Sequence, residues 1–177
     1  MAGGPRMISR LPAIAAACLI LAGCAAKGPA FTDAPPPGSK ALVYIYRPYN
    51  DWMSTQDAGF DANDKRIGFL DPGGYTFFHA APGHYEIKQF WPLGIWTMQV
   101  PELWKDLHIP MDLKAGETRY LRLGIKGGYA GSSPTGGLTA RVEWVLSEVP
   151  PEIGRSEIVQ QAFEPQNKAM PAEYRPQ

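Results

Sequence analysis

Leu138-Thr-Ala-Arg-Val-Glu-Trp-Val-Leu-Ser-Glu-Val149 alternates apolar and polar residues with a period of two. Leu138, Ala140, Val142, Trp144 and Leu146 share one face, and Thr139, Arg141, Glu143 and Ser147 largely oppose them. Successive side chains of a strand point to opposite faces, whereas a helical period would scatter this apolar set. The segment therefore reads as a β-strand with one buried face.

Working upstream, Thr118 to Ile125 repeats the pattern: Leu121, Leu123 and Ile125 point one way, Tyr120 and Arg122 the other. Lys114-Ala-Gly-Glu117 separates it from a strand over Leu107 to Leu113. Tyr75 to Ala80 and His84 to Trp91 flank Ala81-Pro82-Gly83, and Asp71-Pro-Gly-Gly74 is a further turn. Ala58 to Phe60 and Lys65 to Leu70 form a hairpin around the polar Asp61 to Asp64. Ala41-Leu-Val-Tyr-Ile-Tyr-Arg47 is β-branched and aromatic, and Pro48 ends it.

Downstream, Pro150-Pro151 stops the strand, and Ile158, Val159, Ala162 and Phe163 form a stripe over two turns. The spacing predicts one short helix within 151–164, from about Glu152 to Phe163, with a disordered tail over 165–177. The fold expected is mainly β: a single antiparallel β-sandwich, or a partly open barrel, over 41–150, with one short C-terminal helix. There is no internal repeat and no second domain.

The first 23 residues have a different character. Arg6 and Arg10 precede the apolar run Leu11 to Leu21, which is well short of the roughly 20 residues that span a bilayer. Leu21-Ala22-Gly23-Cys24 resembles the bacterial lipobox. That resemblance implies acylation of the Cys24 thiol, removal of signal peptide 1–23 and a new amino terminus at residue 24. Two or more acyl chains make such an anchor stable, since one binds only marginally. Ala25 is not the Asp that would favour retention in the inner membrane, so the expected destination is the outer membrane, facing the periplasm. Segment 24–40, with prolines 35 to 37, reads as an extended, semi-rigid tether lifting the domain off the bilayer.

Processing changes the charge balance a little. Loss of Arg6 and Arg10 takes Lys plus Arg from 17 to 15 against 17 Asp plus Glu, a net charge of −2. That leaves no basic field for nucleic acid. Cys18 departs with the signal and Cys24 carries lipid, so no thiol remains for a disulfide, a thiolate metal site or cysteine catalysis.

Several stretches are similar to a family of small bacterial lipoproteins that carry a domain of unknown function. They are Ala41-Leu-Val-Tyr-Ile-Tyr-Arg-Pro48, Ile67-Gly68, Tyr75 with Pro82-Gly83-His84-Tyr85, and Lys114-Ala-Gly-Glu-Thr-Arg-Tyr-Leu-Arg122. The family's strand pattern is similar to that of PEGA-type β-sandwich modules. The resemblance spans roughly 40 to 150 and implies a lipid-anchored envelope protein with a sandwich fold. It brings no established activity and no functional residues.

Candidate chemistry is sparse. His79 and His84 bracket a turn and could lie near each other on antiparallel strands, but with His108 they lack the spacing of a zinc site. Gly127 to Gly137 fits neither a phosphate-cradling loop nor a hydrolase elbow around Ser132 and Ser133, and reads as a hairpin loop. Asp57, Asp61, Asp64 and Asp71 sit in turn-like stretches where Asp is expected anyway. Trp91, Trp96 and Trp104, among Phe90, Leu93, Ile95, Met98 and Leu103, form the most unusual segment. It is either a recognition or membrane-interface surface or a lid over an open end of the sandwich.

The expectation is a non-enzymatic binding or structural module with no catalytic residues, metal or cofactor. Its partners are the membrane, through Cys24, and an envelope protein or glycan. The alternative is a hydrolase acting on peptidoglycan or lipid.

Overall fold

The computed structural model describes residues 26, 28–35, 37–49, 56–92, 103–132, 138–163 and 174, with side chains for all of these except 128–132 and 138–141. The expected signal peptide, Cys24, Trp96 and most of the tail lie outside the described residues. Two sheets pack as a sandwich. β1 (Ala41–Tyr46), β4 (Gly74–Ala80), β7 (Thr118–Ser132), β8 (Leu138–Val149) and β9 (Ala162–Phe163) form one, in the order β8-β7-β1-β4-β9. β2 (Ala58–Ala62), β3 (Lys65–Leu70), β5 (Gly83–Phe90) and β6 (Leu107–Leu113) form the other, in the order β3-β2-β5-β6. Pairing is mostly antiparallel, with β1 parallel to β7 and β4 parallel to β9.

The expected alternation builds the interior. Val43 and Ile45 of β1, Phe78 of β4, Leu121 and Leu123 of β7 and Trp144 of β8 face Phe60, Ile67, Ile87 and Met111 of the opposite sheet. Asn63 and Asp64 turn β2 into β3 with φ of 46° and 61°, the left-handed pair that a two-residue hairpin needs. Pro110 is accommodated because β6 is an edge strand, where a missing N–H costs little.

Tyr75 to Ala80 and His84 to Trp91 do not form a hairpin. β4 and β5 belong to different sheets, because β5 pairs with β2 and β6 and the Ala81-Pro82 link crosses the sandwich. His79 and His84 are thereby separated. His79 is buried on the outer face of β4, where Nε2–H donates to the Pro35 carbonyl at 3.1 Å. His84 is exposed beside Asp112 at 2.9 Å.

The outer face of the five-stranded sheet is covered as well. Tyr44, Tyr46, Tyr75 and Tyr120 are buried there, with Tyr44 stacked on Tyr120 at 5.1 Å. Helix α1 (Pro151–Ile158) crosses Tyr120 and buries Gly154 and Ile158. It is shorter than the apolar stripe predicts, because Ala162 and Phe163 leave it to pair with β4.

The Pro-rich segment expected to stand free is a strap across the same face. Ala26 N–H donates to Pro72 O at 3.1 Å, and Phe163 N–H to Pro29 O at 2.8 Å. Thr32 N–H donates to the Tyr75 hydroxyl at 3.2 Å, and Ala34 N–H to the Tyr44 hydroxyl at 2.8 Å. Phe31 packs against Tyr44 and Tyr75 at 5.8 and 5.2 Å. Extended proline backbone has little entropy left to lose, which lowers the cost of this docking. Tyr174, in the expected disordered tail, is 4% exposed against Phe78 and Tyr85. No helix of the described residues is long and apolar enough to cross a membrane.

Candidate binding site at the strand-end aromatic cluster

β1 runs out at Tyr46, and the next residue, Arg47, is only 2% exposed. Its backbone closes the β3–β4 turn by accepting from Gly73 N–H and donating to Gly74 O, both at 2.9 Å. That fixes its side chain at one end of the sandwich. The guanidinium lies 5.4 Å from the Trp91 ring centroid and 5.0 Å from that of Trp144. It donates through Nη1 to Gln56 O and, at 3.4 Å, to Leu70 O. Burial pulls its pKa down to about 10, opposed by the charges of Asp57 and Asp71, so it stays cationic at neutral pH.

The three indoles pack on one another. Trp91 lies 4.8 Å from Trp104, nearly edge-on, and 4.7 Å from Trp144. Trp91 is 7% exposed and Trp104 half-buried, so neither is an exposed platform; they close the end of the core. Trp96, named with them on sequence grounds, lies outside the described residues. Trp144 comes from the far sheet and could have been grouped with them by its place on the buried face of β8.

Polar groups point into this end. Period-two alternation places Tyr85, Ile87, Gln89 and Trp91 on one face of the β5 segment, and all four are buried. Gln89 is 0% exposed, and neither atom of its amide has a hydrogen-bond partner. The indole Nε1 atoms of Trp91 and Trp144 are also buried and unpartnered. Buried polar atoms are nearly always paired, and each unpaired one costs about 1–3 kcal/mol. Sequence reading missed Gln89, although its spacing from Ile87 marks it as inward.

The Asp residues dismissed as turn-formers divide. Asp61 pairs with Arg66, and Asp64 occupies the β2–β3 turn. Asp57 and Asp71 come together beside Arg47. Hydrogen bonding to Asp71, then desolvation and the Asp71 charge, push the Asp57 carboxyl up to about 6 against the pull of Arg47. A second opening, a cleft of about 410 Å³ between strap and α1, is lined by Asp33, Tyr44, Tyr120 and Arg155. Two of its charges are spent on each other, with Arg155 gripping Asp33 at 2.6 and 2.9 Å. Among the described residues no cluster of His, Cys, Asp and Glu has the makings of a metal site.

A family model described as a protein of unknown function, DUF2846, matches residues 37–138, more than half of the 177-residue chain. The chain belongs to the DUF2846 family. No curated protein matches it. The DUF2846 match takes in β1 to β7 and ends at the first residue of β8. It therefore contains Arg47, Asp57, Asp71, Gln89, Trp91 and Trp104, while the strap up to Pro35, Trp144 and α1 lie outside it.

Proposed function

We propose that this DUF2846 protein is a lipid-anchored bacterial envelope protein, held on the outer membrane through acyl chains on Cys24 and facing the periplasm. Its sandwich is a non-enzymatic binding module, and the strand-end aromatic cluster receives an envelope protein segment or a glycan. One observation carries the binding role: the indole nitrogens of Trp91 and Trp144, whose rings lie beside the buried Arg47, and the amide of Gln89, the next inward position to Trp91 along β5, are buried and unpaired. Three donor nitrogens and one amide oxygen, with a cation and indole faces, suit a ligand that offers both oxygen acceptors and an O–H or N–H donor on an apolar body. Cys24 and the signal-like segment before it carry the anchor.

The test is titration of isotope-labelled protein with purified peptidoglycan fragments and with crosslinked envelope extracts, reading the indole N–H resonances of Trp91 and Trp144. Saturable shifts that Gln89→Leu abolishes support the site. Silence with every fraction would remove it. For the anchor, mass spectrometry of the mature amino-terminal peptide should find acylated Cys24.

The Asp57–Asp71 pair favours one second reading, an envelope hydrolase acting on peptidoglycan or lipid. Two carboxyls that share a proton, one poised near 6, can serve as acid and base. Product release from peptidoglycan or phospholipid, lost in both Asp57→Asn and Asp71→Asn, would establish it; inactivity of the parent protein would retire it.

A further inference from the structure

The strap fixes which end of the sandwich meets the anchor. It runs from Ala26, bonded to Pro72 in the β3–β4 turn, past Pro29 and Phe31 at Phe163 and Tyr75, to Pro35 at His79. His79 pairs with Leu42 near the start of β1, while Tyr75 pairs with Tyr46 at its end. The chain therefore enters at the Arg47 end and travels away from it. Only Ala25 lies between Ala26 and Cys24, a reach of at most about 7 Å.

That end has the surface to match. Tyr49 and Val159 are the two most exposed large hydrophobic residues of those described, at 55% and 51%. Tyr49 lies beside the Pro72-Gly73 turn, and Val159 comes three residues before Ala162, whose N–H donates to Gly73 O at 2.9 Å. A Cβ on Gly73 would lie 3.6 Å from Tyr49 Cβ and 3.9 Å from Gln161 Oε1, two residues beyond Val159. The β7–β8 ribbon leaves the sandwich in the same direction. β7 pairs with β1 only over 118–122, and its continuation to Ser132 has β8 alone as partner. The sequence carries no charged residue between Lys126 and Arg141.

We infer that this protein sits on a lipid surface through the Arg47 end of its sandwich, with Tyr49, the Pro72-Gly73 turn and Val159 against the headgroups. The inference rests on the lipid anchor proposed above. A long free tether would let the domain tumble, but the docked strap orients it.

Because Cys24 is the sole cysteine after processing, single-cysteine labels can report the contact. The full lipidated chain, fluorophore-labelled at Tyr49→Cys, Val159→Cys, Asp64→Cys or Ala115→Cys, is placed on vesicles of phosphatidylethanolamine and phosphatidylglycerol that carry headgroup nitroxides. The six residues of β1 separate the two ends by about 20 Å, so quenching at 49 and 159 should exceed that at 64 and 115 by at least about twofold. Gly28→Ala, whose Cβ would lie 1.5 Å from the Phe163 carbonyl oxygen, should free the strap and level the four signals. Equal or inverted quenching on protein with acylated Cys24 overturns the seating alone. Absence of acyl chains overturns both the seating and the anchor.

Discussion

Replacing Gln89 with Leu should stabilise the free protein while destroying its site. The amide is fully buried, between Ile87 and Trp91 on the inward face of β5, with both polar atoms unpartnered. Leaving such a group unpaired costs about 1–3 kcal/mol, which the apolar side chain recovers. Leu is close to Gln in volume, so repacking should take back less than about 1.5 kcal/mol. The net expectation is a gain of about 1–2 kcal/mol. In urea the midpoint should rise with an unchanged slope, and Tm should rise by roughly 2–8 °C. A loss of more than about 1 kcal/mol would mean that the amide is already satisfied in the resting protein, and the binding-site argument would fall with it. A stability gain that accompanies lost binding is the signature of a strained functional residue.

Gly154→Ala should destabilise by about 1–3 kcal/mol, although Ala gains about 1 kcal/mol in helix propensity, because its Cβ would lie 2.4–2.7 Å from Tyr120 atoms, Cβ included. Urea denaturation that shows a gain instead would mean α1 is free to lift off the sheet. Arg47→Lys should cost about 2–4 kcal/mol, since an ammonium has no planar face to lay against the two indoles, and Trp emission should shift to the red as the cluster opens. A change below about 0.5 kcal/mol would show that the stack contributes nothing. The native state holds the Asp57 proton up to about pH 6, above the carboxyl's ordinary 3.8, so stability should fall as pH rises through that interval. Asp57→Asn should flatten this part of the stability profile, and an unchanged slope would refute the pairing with Asp71.

Local alternation was enough to locate the strands. In β7 and β8 it also identified Leu121, Leu123, Trp144 and Leu146 as inward-facing, because a half-buried strand writes its two faces directly into the chain. The same period, extended along β5, reaches Gln89 and Trp91, so part of the candidate site was legible in principle. Arg47 was not, since a charged residue before Pro48 looks like a solvated strand end until Trp91 and Trp144 arrive from other strands.

By itself, then, the sequence determined the mainly β class and the strand positions, features set by neighbours along the chain. Tertiary structure alone decided the rest. Ala81-Pro82-Gly83 would serve a hairpin as well as a crossing, and only the pairing of β5 with β2 and β6 selects the crossing. The strap has no periodicity to read. Its docking depends on separate contacts of Phe31, Asp33 and Pro35 with residues 44 to 122 positions away. The Asp57–Asp71 pairing and the indole cluster likewise arise where strand ends converge, from distances that no local pattern encodes.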